Sequence, residues 1–228
     1  MPAKSSVSIW PTSSNPVCGW FQCCRLSSDL AALLYERLYH LGMPEPTDLV
    51  TIQVVDYDPD WPQIFQQLRD HIWPSVCDIA VAIEHVGSTS VPGLVAKPII
   101  DIDLVIATAA DLHALKLSLG SLGYEHRGNR GIDDREAFQS PENLPCHHLY
   151  ACVQNSVALQ NHIAVRDYLR THPSEAAMYS KLKKQLAQQF PTEREHYVES
   201  KTDFILYILE QCGFSTAIGD SIRRANQR

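Results

Sequence analysis

No stretch of this 228-residue chain approaches the roughly 18 consecutive apolar residues of a membrane span. The best candidate, around residues 98–106, is interrupted by Asp101 and Asp103. Basic excess is missing too: 19 Lys+Arg stand against 26 Asp+Glu, a formal charge of −7. That balance argues against a partner of bulk nucleic acid. No Cys-x-x-Cys pair occurs, and seven cysteines, an odd number, make a poor disulfide framework. The opening residues lack the apolar run of a secretory leader, since Pro11, Asn15 and Pro16 stand where it would lie. No internal repeat and no low-complexity tract is visible. These absences predict a soluble protein of the reducing cytoplasm, with no membrane contact and with cysteines serving as small hydrophobes.

What is present is enough apolar sequence for a sizeable core, and a length suited to one domain with an appendage. Residues 1–49 read as an N-terminal arm, partly flexible, with one short helix over Leu26–Leu41. The main domain is expected over 50–212, opening on a strand at Val50–Val55, and 213–228 read as a C-terminal tail. Asp58-Pro59-Asp60 is a turn and helix start. Trp61, Phe65, Leu68 and Ile72 then form one stripe of a helix to about Val76. Ile79–Val86 reads as a strand. Pro98–Ile106 alternates, with Ile100, Ile102, Leu104 and Ile106 on one face and the two aspartates on the other. A helix over about 109–122 ends at Gly123, where a third strand begins. Further strands are expected near Arg135–Gln139 and Cys146–Val153, then helices over about 156–171, 174–190 and 192–212. The fold class is α/β (α+β): a mixed sheet flanked by helices, with more helices at the C-terminus.

Charge is unevenly distributed. Residues 50–163 hold 6 basic and 14 acidic groups, whereas 164–228 hold 10 and 8. The acidic part contains EHVGSTSVPGLVAKPIIDIDLVI, residues 84–106, which carries the chemistry. Asp101 and Asp103, two apart on a strand, leave the same face with Cα atoms about 6–7 Å apart. Such a pair repels and costs desolvation unless a cation lies between, and Mg²⁺ accepts carboxylates together with substrate phosphates. Fourteen residues upstream of Asp101, Gly87 lets backbone N–H groups approach an anion, and Ser88, Thr89 and Ser90 add hydroxyls. Lys97 can neutralise a phosphate charge.

This pattern resembles the nucleotidyltransferase signature, a Gly-Ser turn followed by Asp-x-Asp on a strand. More narrowly, the chain resembles the GrpB family. The resemblance rests on Tyr57-Asp58-Pro59 with Trp61, on 84–89 (EHVGST), Val91-Pro92-Gly93-Leu94 and Lys97-Pro98-Ile99-Ile100-Asp101. Later it rests on Arg135 with Phe138, His147-His148-Leu149, Arg166-Asp167-Tyr168-Leu169-Arg170, and Tyr179 with Leu182-Lys183. It covers about 50–212. It implies a nucleotidyltransferase-like fold in which Gly87 and Ser88 hold the phosphates of a nucleoside triphosphate and Asp101 and Asp103 bind Mg²⁺. The implied chemistry is in-line attack of an unknown acceptor on the α-phosphate.

Two departures stand out. Active nucleotidyltransferases usually carry a third carboxylate on a later strand, but Cys146–Val153 offers His148, Tyr150 and Cys152 on one face. Where the family typically has His-x-His, this chain has His148-Leu149-Tyr150. His148 is therefore a candidate base or ligand, or a structural histidine. Arg135 is a phosphate fork or a surface partner of Asp133 or Glu136. Arg166 and Arg170 line the cleft, or Arg166 pairs with a buried Asp. His85 reads as orienting the turn, and Lys181, Lys183 and Lys184 as a solvated face. Trp61, Tyr179 and Tyr207 read as core. A zinc site from Cys146, His147, His148 and His162 fits no standard spacing. Three functions stay open: a Mg²⁺-dependent nucleotidyltransferase, a catalytically silent nucleotide- or ligand-binding module, and a metal-assisted phosphoester hydrolase.

Overall fold

The computed structural model describes residues 51–226. The N-terminal arm with its Leu26–Leu41 helix lies outside the described residues. Asp60 N–H donates to Asp58 Oδ1 (2.9 Å), closing the turn that starts helix α1, Trp61–Val76. Pro62 stands in its first turn, where no intrahelical N–H is needed. Of the predicted stripe, Trp61, Leu68 and Ile72 are buried along α1, and Phe65 packs partly buried against the same core. Strand β1 (Ala80–Val86) pairs antiparallel with β2 (Ile100–Ile106), setting Val86 opposite Asp101 and Glu84 opposite Asp103.

After β2, helix α2 (Leu112–Ser121) leads to a short β3 (Glu125–His126) and β4 (Arg135–Gln139). Strand β5 (His147–Val153) then pairs parallel to β2, and the sheet order is β1-β2-β5-β4-β3. One sheet face carries Ile100, Ile102, Leu104 and Ile106 into a core with Leu68, Ile72, Leu115 and Leu119 of α1 and α2. Asp101, Asp103 and Val105 leave the opposite face. There α3 (Val157–Thr171) packs, and Leu159 closes a small cluster with Val105 and Cys152.

Helices α4 (Pro173–Gln189), α5 (Arg194–Glu199), α6 (Thr202–Gln211) and α7 (Thr216–Asn226) complete the chain. A second core joins α3, α4 and α6 to the loop after β1, with Val91 and Leu94 against Leu169, Tyr179 and Ile208.

The mixed sheet with flanking helices is as expected, but four details differ. Of the strand expected at Val50–Val55, the described part makes only a bridge between Val55 and Ala96. The helix expected over 192–212 is two, because the backbone breaks around Ser200 and Lys201. Residues 216–226, read as tail, form α7. Tyr207 is 44% exposed, whereas Trp61 and Tyr179 are buried in the first and second cores.

Candidate functional site

Gly87 begins the site. Its φ of 69° and ψ of −169° lie in a region that only glycine occupies without strain. A Cβ there would overlap the carboxylate of Asp101. The first aspartate thus requires the glycine: the turn passes so close to β2 that only a hydrogen fits between them. Gly87 is followed by one 3₁₀ turn, Ser88–Ser90. Ser90 Oγ donates back to the Gly87 carbonyl (2.6 Å). Thr89 Oγ1 donates to the Ile99 carbonyl (3.3 Å) and so accepts from His85 Nε2 (3.0 Å). His85 stacks on Phe65, ring centroids 4.6 Å apart, and burial brings its pKa down to about 4. It is a neutral donor, orienting the turn as expected.

Each aspartate has a histidine. Asp101 Oδ1 is 2.8 Å from His148 Nδ1, its neighbour in register on β5. Burial raises the Asp101 pKa, but the His148 hydrogen bond and the charges of His148, His162 and His85 outweigh it and hold the group below its usual value. Asp103, fully buried, accepts from His162 Nδ1 of α3 through Oδ2 (2.8 Å). Burial lowers the His162 pKa, and the adjacent Asp103 carboxylate more than reverses it. Asp103 Oδ1 is buried without a hydrogen-bond partner.

Basic groups come from the C-terminal helices. Lys183 of α4, only 2% exposed, donates to Ser88 Oγ (2.8 Å) and to the Val95 carbonyl. Burial and the charge of Lys201 depress its pKa strongly. Lys97 and Lys201 both lie over the ring of Tyr197, at 5.0 and 4.5 Å from its centroid. Lys201 is brought down to about 8 by burial and then by Lys97, against the pull of Asp101. Lys97 is lowered by burial and by Arg194. Three ammonium groups therefore act on one partly buried carboxylate, Asp101, with the Arg194 guanidinium beside two of them. Lys183, read from sequence as part of a solvated face, is a buried site residue. Its pairing with Ser88 spans 95 residues and has no local signal.

The remaining expected residues lie at the margins. Arg166 is engaged by Glu84 (2.7 Å), Asp167 (2.7 Å) and the His85 carbonyl (3.1 Å), and holds α3 onto β1. Arg170 makes two bonds to the Ser90 carbonyl and fixes the turn from the same helix. Arg135 stands opposite Cys152 in register, stacked 4.4 Å over the Tyr150 ring, with its buried Nε unpartnered. Neither Asp133 nor Glu136 is its partner; Glu136 pairs with His126. On β5, Tyr150 faces Asp103 in register and no carboxylate occupies the position of a third acid. Glu84 faces Asp103 from β1 but is held by Arg166.

The GrpB protein family model matches residues 51–211, spanning α1 through α6 and every residue of the site. The chain belongs to the GrpB family. Among curated relatives, the UPF0157 protein PA4798 of Pseudomonas aeruginosa is 36% identical over 164 residues, covering 69% of this chain and 66% of that one. The UPF0157 protein YqkA of Bacillus subtilis is 33% identical over 154 residues, 68% of this chain and 45% of that one. This GrpB chain therefore spans less than half the length of YqkA. The crystal structure of the conserved protein GrpB from Enterococcus faecalis superposes with a TM-score of 0.63 at 32% identity, covering 70% of this chain and 96% of that one. The GrpB match ends where α6 ends, so α7 lies beyond it. No helix among the described residues is long and apolar enough to cross a membrane.

The residues of this GrpB chain suit a magnesium ion in one respect: Asp103 Oδ1 is a buried carboxylate oxygen without a donor, beside a second carboxylate on the same strand face. Oxygen ligands of this kind are what Mg²⁺ takes.

Proposed function

We propose that this GrpB protein binds a nucleoside triphosphate and transfers its nucleoside monophosphate to an acceptor. The observation that carries this reading is the excess of positive charge around Asp101. Lys97, Lys183 and Lys201 each interact electrostatically with that one carboxylate. Lys97 and Lys201 share the Tyr197 ring and Lys183 donates to Ser88; like charges gathered at one site repel, so the cluster is suited to an anion of several charges, and a triphosphate is one. Ser88 and the backbone of the Gly87 turn offer hydrogen bonds to it, and Lys183 stands on Ser88.

Asp101 and Asp103 would hold Mg²⁺, which when bound stabilises charge on the phosphoryl oxygens. His148, hydrogen-bonded to Asp101, is the group placed to take a proton from an acceptor hydroxyl. The catalytically silent binding module is the second reading. It is favoured by the β5 face, where Tyr150 occupies the register position beside Asp103 and Glu84 is already paired.

Thermal melting with each nucleoside triphosphate, with and without Mg²⁺, tests both. The expected result is a Mg²⁺-dependent upward shift; no shift with any nucleotide would refute binding and transfer together. Pyrophosphate release lost in Asp101→Asn plus Asp103→Asn supports transfer. Binding without release supports the silent module, and phosphate release without acceptor identifies a hydrolase.

A further inference from the structure

On the same sheet face as the Asp-x-Asp pair lies a cluster that shares Asp103 with the nucleotide reading and adds two side chains that reading does not use. Asp103 of β2, Cys152 of β5 and His162 of α3 place one ligand atom each within 4.8 Å of one another. Cys152 is fully buried with Asp103, and His162 closes the group from the helix side, its side chain 25% exposed. The three come from elements far apart in sequence. The parallel β2–β5 register, with Asp103 opposite Tyr150 and Val105 opposite Cys152, brings the first two together.

We propose that Asp103, Cys152 and His162 form a binding site for a borderline-soft divalent transition metal, with Zn²⁺ the ion of that class they fit best. The donor set decides the class. One sulfur, one imidazole nitrogen and one carboxylate oxygen is a zinc-type ligand set, and Mg²⁺ has no use for sulfur. Three protein ligands leave a tetrahedral ion one position for water.

The spacing is close to what coordination needs. Metal–ligand bonds of about 2.0–2.3 Å put neighbouring ligand atoms roughly 3–4 Å apart. The Asp103–His162 hydrogen bond of 2.8 Å therefore opens only slightly to admit the ion. On binding, the Cys152 thiol proton and the Nδ1 proton that His162 shares with Asp103 both leave to solvent as the sulfur–metal and nitrogen–metal bonds form, and His162 coordinates as a neutral imidazole with its remaining hydrogen on Nε2. Arg135 supplies a second, independent observation. It stands opposite Cys152 with a buried Nε–H that has no acceptor, and a thiolate beside it provides negative charge for that unpartnered donor. The site shares Asp103 with the nucleotide reading but uses its His162 side, and neither Asp101 nor any lysine takes part, so the two are told apart at Asp101.

Cobalt substitution tests this in the full chain. After chelation, titration with Co²⁺ is expected to give one equivalent of bound ion, with a thiolate-to-cobalt charge-transfer band and the intense visible bands of a tetrahedral site. Zn²⁺ is expected to erase them, and excess Mg²⁺ to leave them unchanged. Cys152→Ser removes the charge-transfer band, His162→Gln weakens binding at least about tenfold, and Cys146→Ser, a control cysteine, changes neither. Asp101→Asn also retains the band, which separates this site from failure of the nucleotide reading. If Cys152→Ser does not fold, His162→Gln with native circular dichroism carries the test. Absence of a band in the wild type, survival of the band in Cys152→Ser, or displacement of Co²⁺ by Mg²⁺ would each overturn the proposal.

Discussion

The carboxylate of Asp101 occupies the space in which a side chain on Gly87 would begin. Gly87 cannot take a side chain while Asp101 stands there. Gly87→Ala forces its own backbone out of a glycine-only conformation and displaces Asp101, so it is expected to lose about 1–3 kcal/mol of stability. It should also abolish any nucleotide-induced thermal shift. Urea unfolding and the melting assay together check this; an alanine variant with full nucleotide response would contradict the tight turn.

Asp101 and His148 form a hydrogen-bonded pair whose members have different tasks in the proposed chemistry. Asp101→Asn should weaken Mg²⁺-nucleotide binding itself. His148→Gln should leave binding near wild type while slowing product formation about 100-fold or more, the usual contribution of a general base. Binding isotherms set beside pyrophosphate release distinguish the two. Equal losses of binding in both variants would assign His148 a purely structural role.

Lys201, with a pKa near 8, carries its charge only in part at mildly alkaline pH. Affinity for a triphosphate should therefore hold below about pH 8 and fall as the pH rises through it. Lys201→Arg, charged across the range, should flatten the profile. A profile unchanged by that substitution would place the titration elsewhere.

His147 is fully buried, its Nδ1 donating to the Pro145 carbonyl and its Nε2 accepting from Tyr124 (2.8 Å). Burial first, then the charges of His148 and His71, bring its pKa from 6.5 to about 4. The folded state thus resists a proton that the unfolded chain accepts. About 3 kcal/mol of stability is present above pH 6.5 and lost as the pH falls to about 4. Unfolding free energies across that window should show the loss. Tyr124→Phe, which leaves Nε2 without a donor, should cost about 1–3 kcal/mol at neutral pH.

The parts legible in the sequence are those with a local physical signature. The alternation at Ile100–Ile106 fixed both the strand and the face of its aspartates, and Arg135–Gln139 was readable as a strand between polar loops. Val50–Val55 shows the failure of the same rule. β-branched residues favour a strand, yet pairing needs a neighbouring edge, and Ala96 provides a single bridge. The break around Ser200 and Lys201 carries neither Gly nor Pro, so nothing local announced it. In the site, the Gly-Ser turn and Asp-x-Asp were visible as motifs, whereas Lys183, Lys201 and His162 act through contacts with distant segments. Helical spacing marked Lys183 as one lysine among three; only tertiary packing separates it from exposed Lys184, which pairs with Asp56.

The two cores meet at the site. The sheet core supplies Asp101 and Asp103, while the helical core, seated on Val91 and Leu94, brings Lys183 beside Ser88. A ligand that touches both works as a cross-link between units that would otherwise open separately. Occupancy should slow amide exchange along α4 and α6, far from the bound atoms, because opening either core would first require breaking the bridge.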